Sequence, residues 1–354
     1  TLDVTSSMRQ DNICEFPFAR KADETITFTS VDKGVDYRAT NGASGEMPAR
    51  ATTNYPVGQR TFMRTDWSQN ALALGMTNKL EGSHGHNDAL SIAMFAYGKY
   101  LLTDQGYGSV QTGNTMYYMK SPQQHNLVTV NDSRDYIVGG YVISDVRAES
   151  YDTVTKKDGE QMAFDSNKLF DFVEYKTDAY TTTQNSQRSV TFLKNQKFWI
   201  VTDYHIPTDT SVTNEFAQNW HLYPGAKMTI DSDTKVIESH FVNEPNVMVV
   251  PVDPSTIDKT EIRGTWYSEN GGQIVDSQKG MLYRNKKGNG VFSTIIMPMD
   301  VGEDYTITTN KLTNSLSDEN INLFSFNVKN EVTNKESKFY YYHVNEASMQ
   351  TTVN

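Results

Sequence analysis

From residue 59 onward the chain alternates between apolar and polar positions. QRTFMRTD (59–66), ALALGMT (71–77), HNLVTVN (125–131), RSVTFLK (188–194) and KFWIVTD (197–203) are short and rich in β-branched and aromatic residues. NVMVVPVD (246–253), GVFSTIIMP (290–298) and SKFYYYHV (337–344) repeat the pattern, and Asn, Asp, Gly, Lys or Pro bounds each run. A period of two is that of a strand with one buried face. No amphipathic helix of three turns is legible after residue 59. Many antiparallel strands without helical crossovers predict an all-β protein, a large multi-stranded antiparallel β-sandwich of stacked sheets.

Two hairpins can be placed within this pattern. FLKNQKFWIV (192–201) reads as two strands about a tight turn at Asn195-Gln196, where Asn tolerates positive φ. DALSIAMFAYGKYLLTDQG (88–106) reads as two apolar strands about a Gly98-Lys99 turn. Apolar residues on both faces predict a central strand pair buried between layers. Residues 1–58 differ: NGASGEMPARATTNYP (41–56) is irregular and turn-rich. The chain therefore divides into a linker or remnant of another domain, 1–58, and a sandwich domain, 59–354. Trp220 and His221, within a strand pattern, are assigned to the core.

Composition narrows the partners. The 354 residues carry a net charge of −11, which disfavours nucleic acid and anionic membranes as general partners. An acidic ligand would need a local basic pocket, because the overall field repels it. The one cysteine, Cys14, excludes an internal disulfide and a cysteine-based zinc cluster. No apolar run approaches the roughly 20 residues of a membrane span. The chain begins Thr-Leu-Asp without a signal peptide, so an upstream segment is expected to have been removed.

The densest chemistry lies in GSHGHND (82–88), which holds two of the seven histidines. His86, Asp104 and His125 are plausible metal ligands near strand ends, since zinc accepts imidazole nitrogen and carboxylate oxygen. Their wide spacing makes no compact helical motif. A regular hairpin about Gly98-Lys99 pairs Asp104 with Ala93 and leaves His86 on the order of 23 Å further along a straight strand. The loop must therefore fold back over the strand ends, which Gly82 and Gly85 would permit. His84 would then sit on the same loop with its ring available for proton transfer.

Other readings compete. HGHND (84–88) matches the first five positions of the His-x-His-x-Asp-His dinuclear centre of metallo-β-lactamases, but Ala89 stands sixth. Ser83 beside His84 does not form a nucleophilic pair by adjacency, and no Gly-x-Ser-x-Gly elbow occurs. Paired-carboxylate glycoside hydrolysis stays open, with no two carboxylates marked out.

Three successive stretches resemble the heparinase II/III-like polysaccharide lyases. They are YPVGQRTFMRTDWSQNALAL (55–74), GSHGHNDALSIAMFAYGKYLLTDQGYGS (82–109) and SPQQHNLVTVND (121–132). A Pro-x-Gly lead into an Arg strand, a His-x-His-x-Asp segment, an Asp-x-Gly hairpin end and a His-Asn follow in order. RSVTFLKNQKFWIVTD (188–203) and NEFAQNWHLYPG (214–225) are similar to later strands of that family.

The resemblance implies an N-terminal α/α toroid packed on this sandwich, with an acidic polysaccharide in the cleft between them. It places a Zn2+ site on His86, Asp104 and His125, and the sandwich-side catalytic histidine on His84. Elimination consumes no water, so the metal reads as structural. Tyr107, Tyr118 and Arg134 follow closely enough to line the same rim. No toroid is present in this chain, which is therefore expected to be the C-terminal portion of a longer, periplasmic or secreted bacterial lyase. The rivals are a non-catalytic carbohydrate-binding or structural sandwich, with exposed Tyr and Trp stacking on sugars, and a metallo-hydrolase.

Overall fold

The computed structural model describes residues 51–78, 86–106, 119–131, 137–138, 141–142, 159–180, 182–268, 274–312 and 321–344. His84, Tyr107, Tyr118 and Arg134 lie outside the described residues. Secondary structure among those described is almost all strand, with two 3-10 turns and one helical residue at Met119.

The first five strands form an up-and-down sheet in chain order: β1 (Thr53–Tyr55), β2 (Arg60–Arg64), β3 (Ala73–Thr77), β4 (Ile92–Ala96) and β5 (Lys99–Leu102). This sheet begins ahead of residue 59, where the alternation first becomes legible. Next come β6 (Val128–Val130) and a small ribbon of β7 (Ile137–Val138) and β8 (Tyr141–Val142). The longer strands follow: β9 (Glu160–Ser166), β10 (Phe170–Thr177), β11 (Thr183–Leu193), β12 (Phe198–Pro207) and β13 (Asn214–His221). Then come β14 (Lys227–Ile230), β15 (Ile237–His240), β16 (Asn246–Pro251), β17 (Lys259–Ser268), β18 (Ile274–Lys286) and β19 (Gly290–Met299). The last three are β20 (Tyr305–Lys311), β21 (Ile321–Asn330) and β22 (Glu336–Val344).

An eight-stranded sheet, ordered β14-β15-β16-β19-β12-β11-β10-β9, lies at the centre. One of its faces packs through Trp199, Val201, Val190 and Phe192 onto Met63, Leu74 and Ile92 of the five-stranded sheet. The same core takes Phe216, Trp220 and Leu282 from a four-stranded sheet, ordered β17-β18-β13-β6. The opposite face presents Phe198, Ile200, Ile295 and Met297 to Phe324, Phe326 and Val328 of a three-stranded sheet, β20-β21-β22. Successive side chains of β12 thus feed two different cores, and that is why FWIV reads as a continuous apolar run. Trp220 and His221 are both fully buried, as assigned.

Both hairpins form, with shifted details. Ala96 pairs with Lys99, so the turn is Tyr97-Gly98, with φ of 52° and 86°, rather than Gly98-Lys99. Two successive residues at positive φ make the twist that closes a two-residue hairpin. A bulge then sets Leu102 opposite Met94. The pair is not a doubly buried centre: β5 is the edge of its sheet, and only alternate residues of β4 are fully buried. The β11–β12 turn spans four residues, and its left-handed residue is Lys197 (φ 62°), not Asn195.

Candidate metal centre

Three chain segments meet at the end of the five-stranded sheet. The segment before β4 is fixed by backbone and side-chain bonds. Asn87 N donates to Lys120 O (2.9 Å), Leu90 N to Thr77 O (2.7 Å), and the Tyr180 hydroxyl to Ala89 O (2.7 Å). The reversal is made at Leu90, whose φ of 71° is unusual for a side chain branched at Cγ. Asp104 follows β5, and its Oδ1 accepts from Gly106 N (2.9 Å). Gly106 itself must be glycine: at φ 77°, a Cβ would sit 2.0 Å from Ser268 O. His125 caps the 3-10 turn Pro122–Gln124.

These anchors bring one ligand atom each from His86, Asp104 and His125 within 4.8 Å of one another. His125 Nδ1 lies 2.8 Å from Asp104 Oδ2, and the His86 and His125 rings stand 5.3 Å apart between centroids. His125 is wholly buried, and its Nε2 has no protein partner. Two imidazoles and a carboxylate are a donor set suited to zinc and similar divalent ions. The residues fit a metal ion.

Electrostatics agree. Burial, with His125 close by, lowers His86 to about 4. Burial opposes ionisation of Asp104, but the facing His125 outweighs it and holds the carboxyl at about 2. His125 is raised, because Asp104 overcomes its burial. Asp88 is raised to about 7 by burial, partly offset by His125. Asp104 and His125 thus stabilise each other's charged forms across the cluster.

A buried network behind the site was not legible as such. Arg188 on β11 is fully buried and forks onto Asp203 of β12, with Nε–Oδ1 at 2.6 Å and Nη2–Oδ2 at 3.0 Å. Its Nη1 donates to Leu90 O (2.8 Å) and to Asn126 O. Asn126 Nδ2 donates to Ile92 O (2.8 Å) and Thr103 O (3.0 Å), and its Oδ1 accepts from His221 N (2.6 Å). Arg188 and Asn126 together tie the residues beside all three ligands to the central sheets. A signal existed: a hairpin symmetric about Asn195-Gln196 pairs Arg188 with Asp203, opposite charges within apolar runs.

Histidine burial predicts a pH dependence. Burial lowers His86 and His205 to about 4 and His221 well below its ordinary value. Below pH 6.5 the unfolded chain takes up protons that these three refuse, so stability falls as pH falls. For His205 alone the loss reaches on the order of 3 kcal/mol by pH 4. His125 and Asp88, both raised, work the other way, their contributions being lost as pH rises, and they offset part of the loss. The melting temperature of chelator-treated protein should thus drop between pH 6.5 and 4.5, more gently in His205→Gln. A flat profile would contradict the assignment.

Comparison with known proteins places this geometry. The Heparinase II/III-like, C-terminal family matches residues 69–308. The fold superposes on heparan sulfate lyase HepC from Pedobacter heparinus at 16% identity and a TM-score of 0.68, covering 87% of this chain and 45% of that one. It superposes on heparinase III, the BT4657 gene product, at 15% identity and a TM-score of 0.68, with the same coverage. A further heparinase III structure aligns at 14% identity and a TM-score of 0.64, over 85% of this chain and 44% of its own. The chain thus spans less than half the length of these structures. No curated protein matches it. No helix among the described residues is long and apolar enough to cross a membrane. With most of its strands inside the matched region, the chain belongs to the heparinase II/III-like family and carries that family's C-terminal domain.

Proposed function

We propose that this chain supplies the metal-bearing half of a polysaccharide lyase that cleaves a uronic-acid-containing polymer by β-elimination. The reading rests on one observation: ligand atoms of His86, Asp104 and His125 converge within 4.8 Å on a family-matched sandwich. That the relatives named above are heparan sulfate lyases and heparinases supports it.

The reaction removes the proton α to the uronate carboxyl and expels the 4-linked sugar oxygen, leaving an unsaturated ring. A base takes the first proton and an acid returns one to the departing oxygen. Donors placed beforehand stabilise charge that develops on the carboxylate. His86, Asp104 and His125 would hold Zn2+, which would supply a fixed positive charge and clamp their three segments together. His84, two positions from His86, would share the acid–base work. Tyr107, Tyr118 and Arg134 would line the cleft, and a helical toroid of the same polypeptide would close it. A periplasmic or secreted location fits such a substrate.

His84→Ala in the complete enzyme should lower formation of the ultraviolet-absorbing unsaturated product by about 10²–10⁴-fold, with metal content unchanged. Normal turnover in that variant would end the catalytic assignment.

A second reading, carbohydrate binding without catalysis, draws on Tyr340 and Tyr342. They share the outer face of β22 and are 70% and 62% exposed. Absence of unsaturated product in the complete protein, with sugar binding retained, would favour it.

A further inference from the structure

The chain is strongly acidic, yet one strip beside the metal centre is not. Odd-numbered residues of β17 share one face. On that face Thr265 Oγ1 donates to Gln124 Oε1 (2.5 Å), directly before His125. Two residues on is Arg263, paired across the strands with Lys279. The buried Lys279 ammonium donates to Gln123 O (2.8 Å). Glu261 and Lys259 continue the line, with Lys259 about 13 Å beyond Arg263.

Two cations and a tyrosine hydroxyl surround one carboxylate here. Glu261 accepts from Arg263 Nε (2.8 Å), from Lys259 Nζ (3.1 Å) and from the Tyr283 hydroxyl (3.0 Å). It neutralises one of the two charges and orients the other. The Lys259 ammonium also sits 4.7 Å over the Tyr283 ring. The side chains of Lys259 and Arg263 keep 58% and 32% of their surface open to solvent. The Arg263 guanidinium is forked onto Glu261 through Nε and Nη2, and its planar shape matches carboxylate and sulfate. In a chain of net charge −11, such a strip supplies the local attraction an acidic polymer requires.

We propose that this face of β17, with Arg263 and Lys259 as its cations, is the track along which an acidic polysaccharide chain extends from the His86–Asp104–His125 centre. The proposal rests on the lyase reading for its ligand class. It differs in what it measures, because binding is read without turnover.

The test is calorimetric titration of the 354-residue chain with a sulfated glycosaminoglycan oligosaccharide, a non-sulfated polyuronate oligosaccharide and neutral dextran. Lys259→Gln/Arg263→Gln should weaken binding of at least one acidic probe about tenfold, through loss of two charge-assisted contacts, and flatten its salt dependence. Lys335→Gln, on the far three-stranded sheet, should change nothing. Glu261→Gln should tighten binding, since it unmasks the cations; a merely structural cluster would give no such gain. Equal affinity in the double variant, an equal loss in Lys335→Gln, or no acidic binding by the parent chain would overturn the track. The titration reads binding and not unsaturated product, so failure of the track and failure of the lyase assignment read out separately.

Discussion

Arg188→Met is expected to destabilise the fold by about 3–5 kcal/mol, because it strands a buried carboxylate. Asp203 is 1% exposed, and besides Arg188 it accepts from Gln218 Nε2 at 3.0 Å. Two main-chain carbonyls, of Leu90 and Asn126, would lose their donor in the same step. Each unsatisfied buried acceptor adds to the cost. Urea unfolding would report the loss as a lower midpoint at unchanged slope. Arg188→Met/Asp203→Leu should recover much of the stability, since the charge burial disappears with both partners. It should not recover metal affinity, because Leu90 and Asn126 position the segments that carry His86 and His125. A single variant as stable as the parent would refute the role given to this pair.

The second large effect concerns His86→Ala. The parent should carry one metal ion per chain by elemental analysis, and the variant almost none. Binding to the folded state alone adds RT ln(1 + [L]/Kd), about 4 kcal/mol with free metal at a thousand times Kd. Adding Zn2+ should therefore raise the parent's melting temperature and leave the variant's unchanged. A variant that stays metallated and equally stable would remove the metal assignment. Two ions per chain would instead favour the dinuclear hydrolase reading.

Much of the fold was legible because period-two alternation is a local signal. RTFMR, FWIVTD and GVFSTIIMP are strand in the structure as in the sequence, though the second runs on to Pro207. Turn details were less so. Positive φ at Tyr97, Leu90 and Lys197 is imposed by tertiary packing on residues with no intrinsic preference for it. The doubly buried pair expected at 88–106 failed for a related reason. Apolar content told of burial, but not that β5 closes a sheet edge.

The three converging side chains could be picked out by residue type and strand-end position, although their convergence depends on contacts nearly a hundred residues away. Leu90 O, for example, is held by Arg188. The layering was not legible either. Nothing local tells that Phe198 and Trp199 face different cores.

That layering bears on how the molecule can be cut. The family match stops at residue 308, but Phe324, Phe326 and Tyr341 cover Phe198 and Ile200. A recombinant fragment trimmed to the match would bare a greasy wall along its longest sheet, inviting self-association before any enzymology could begin.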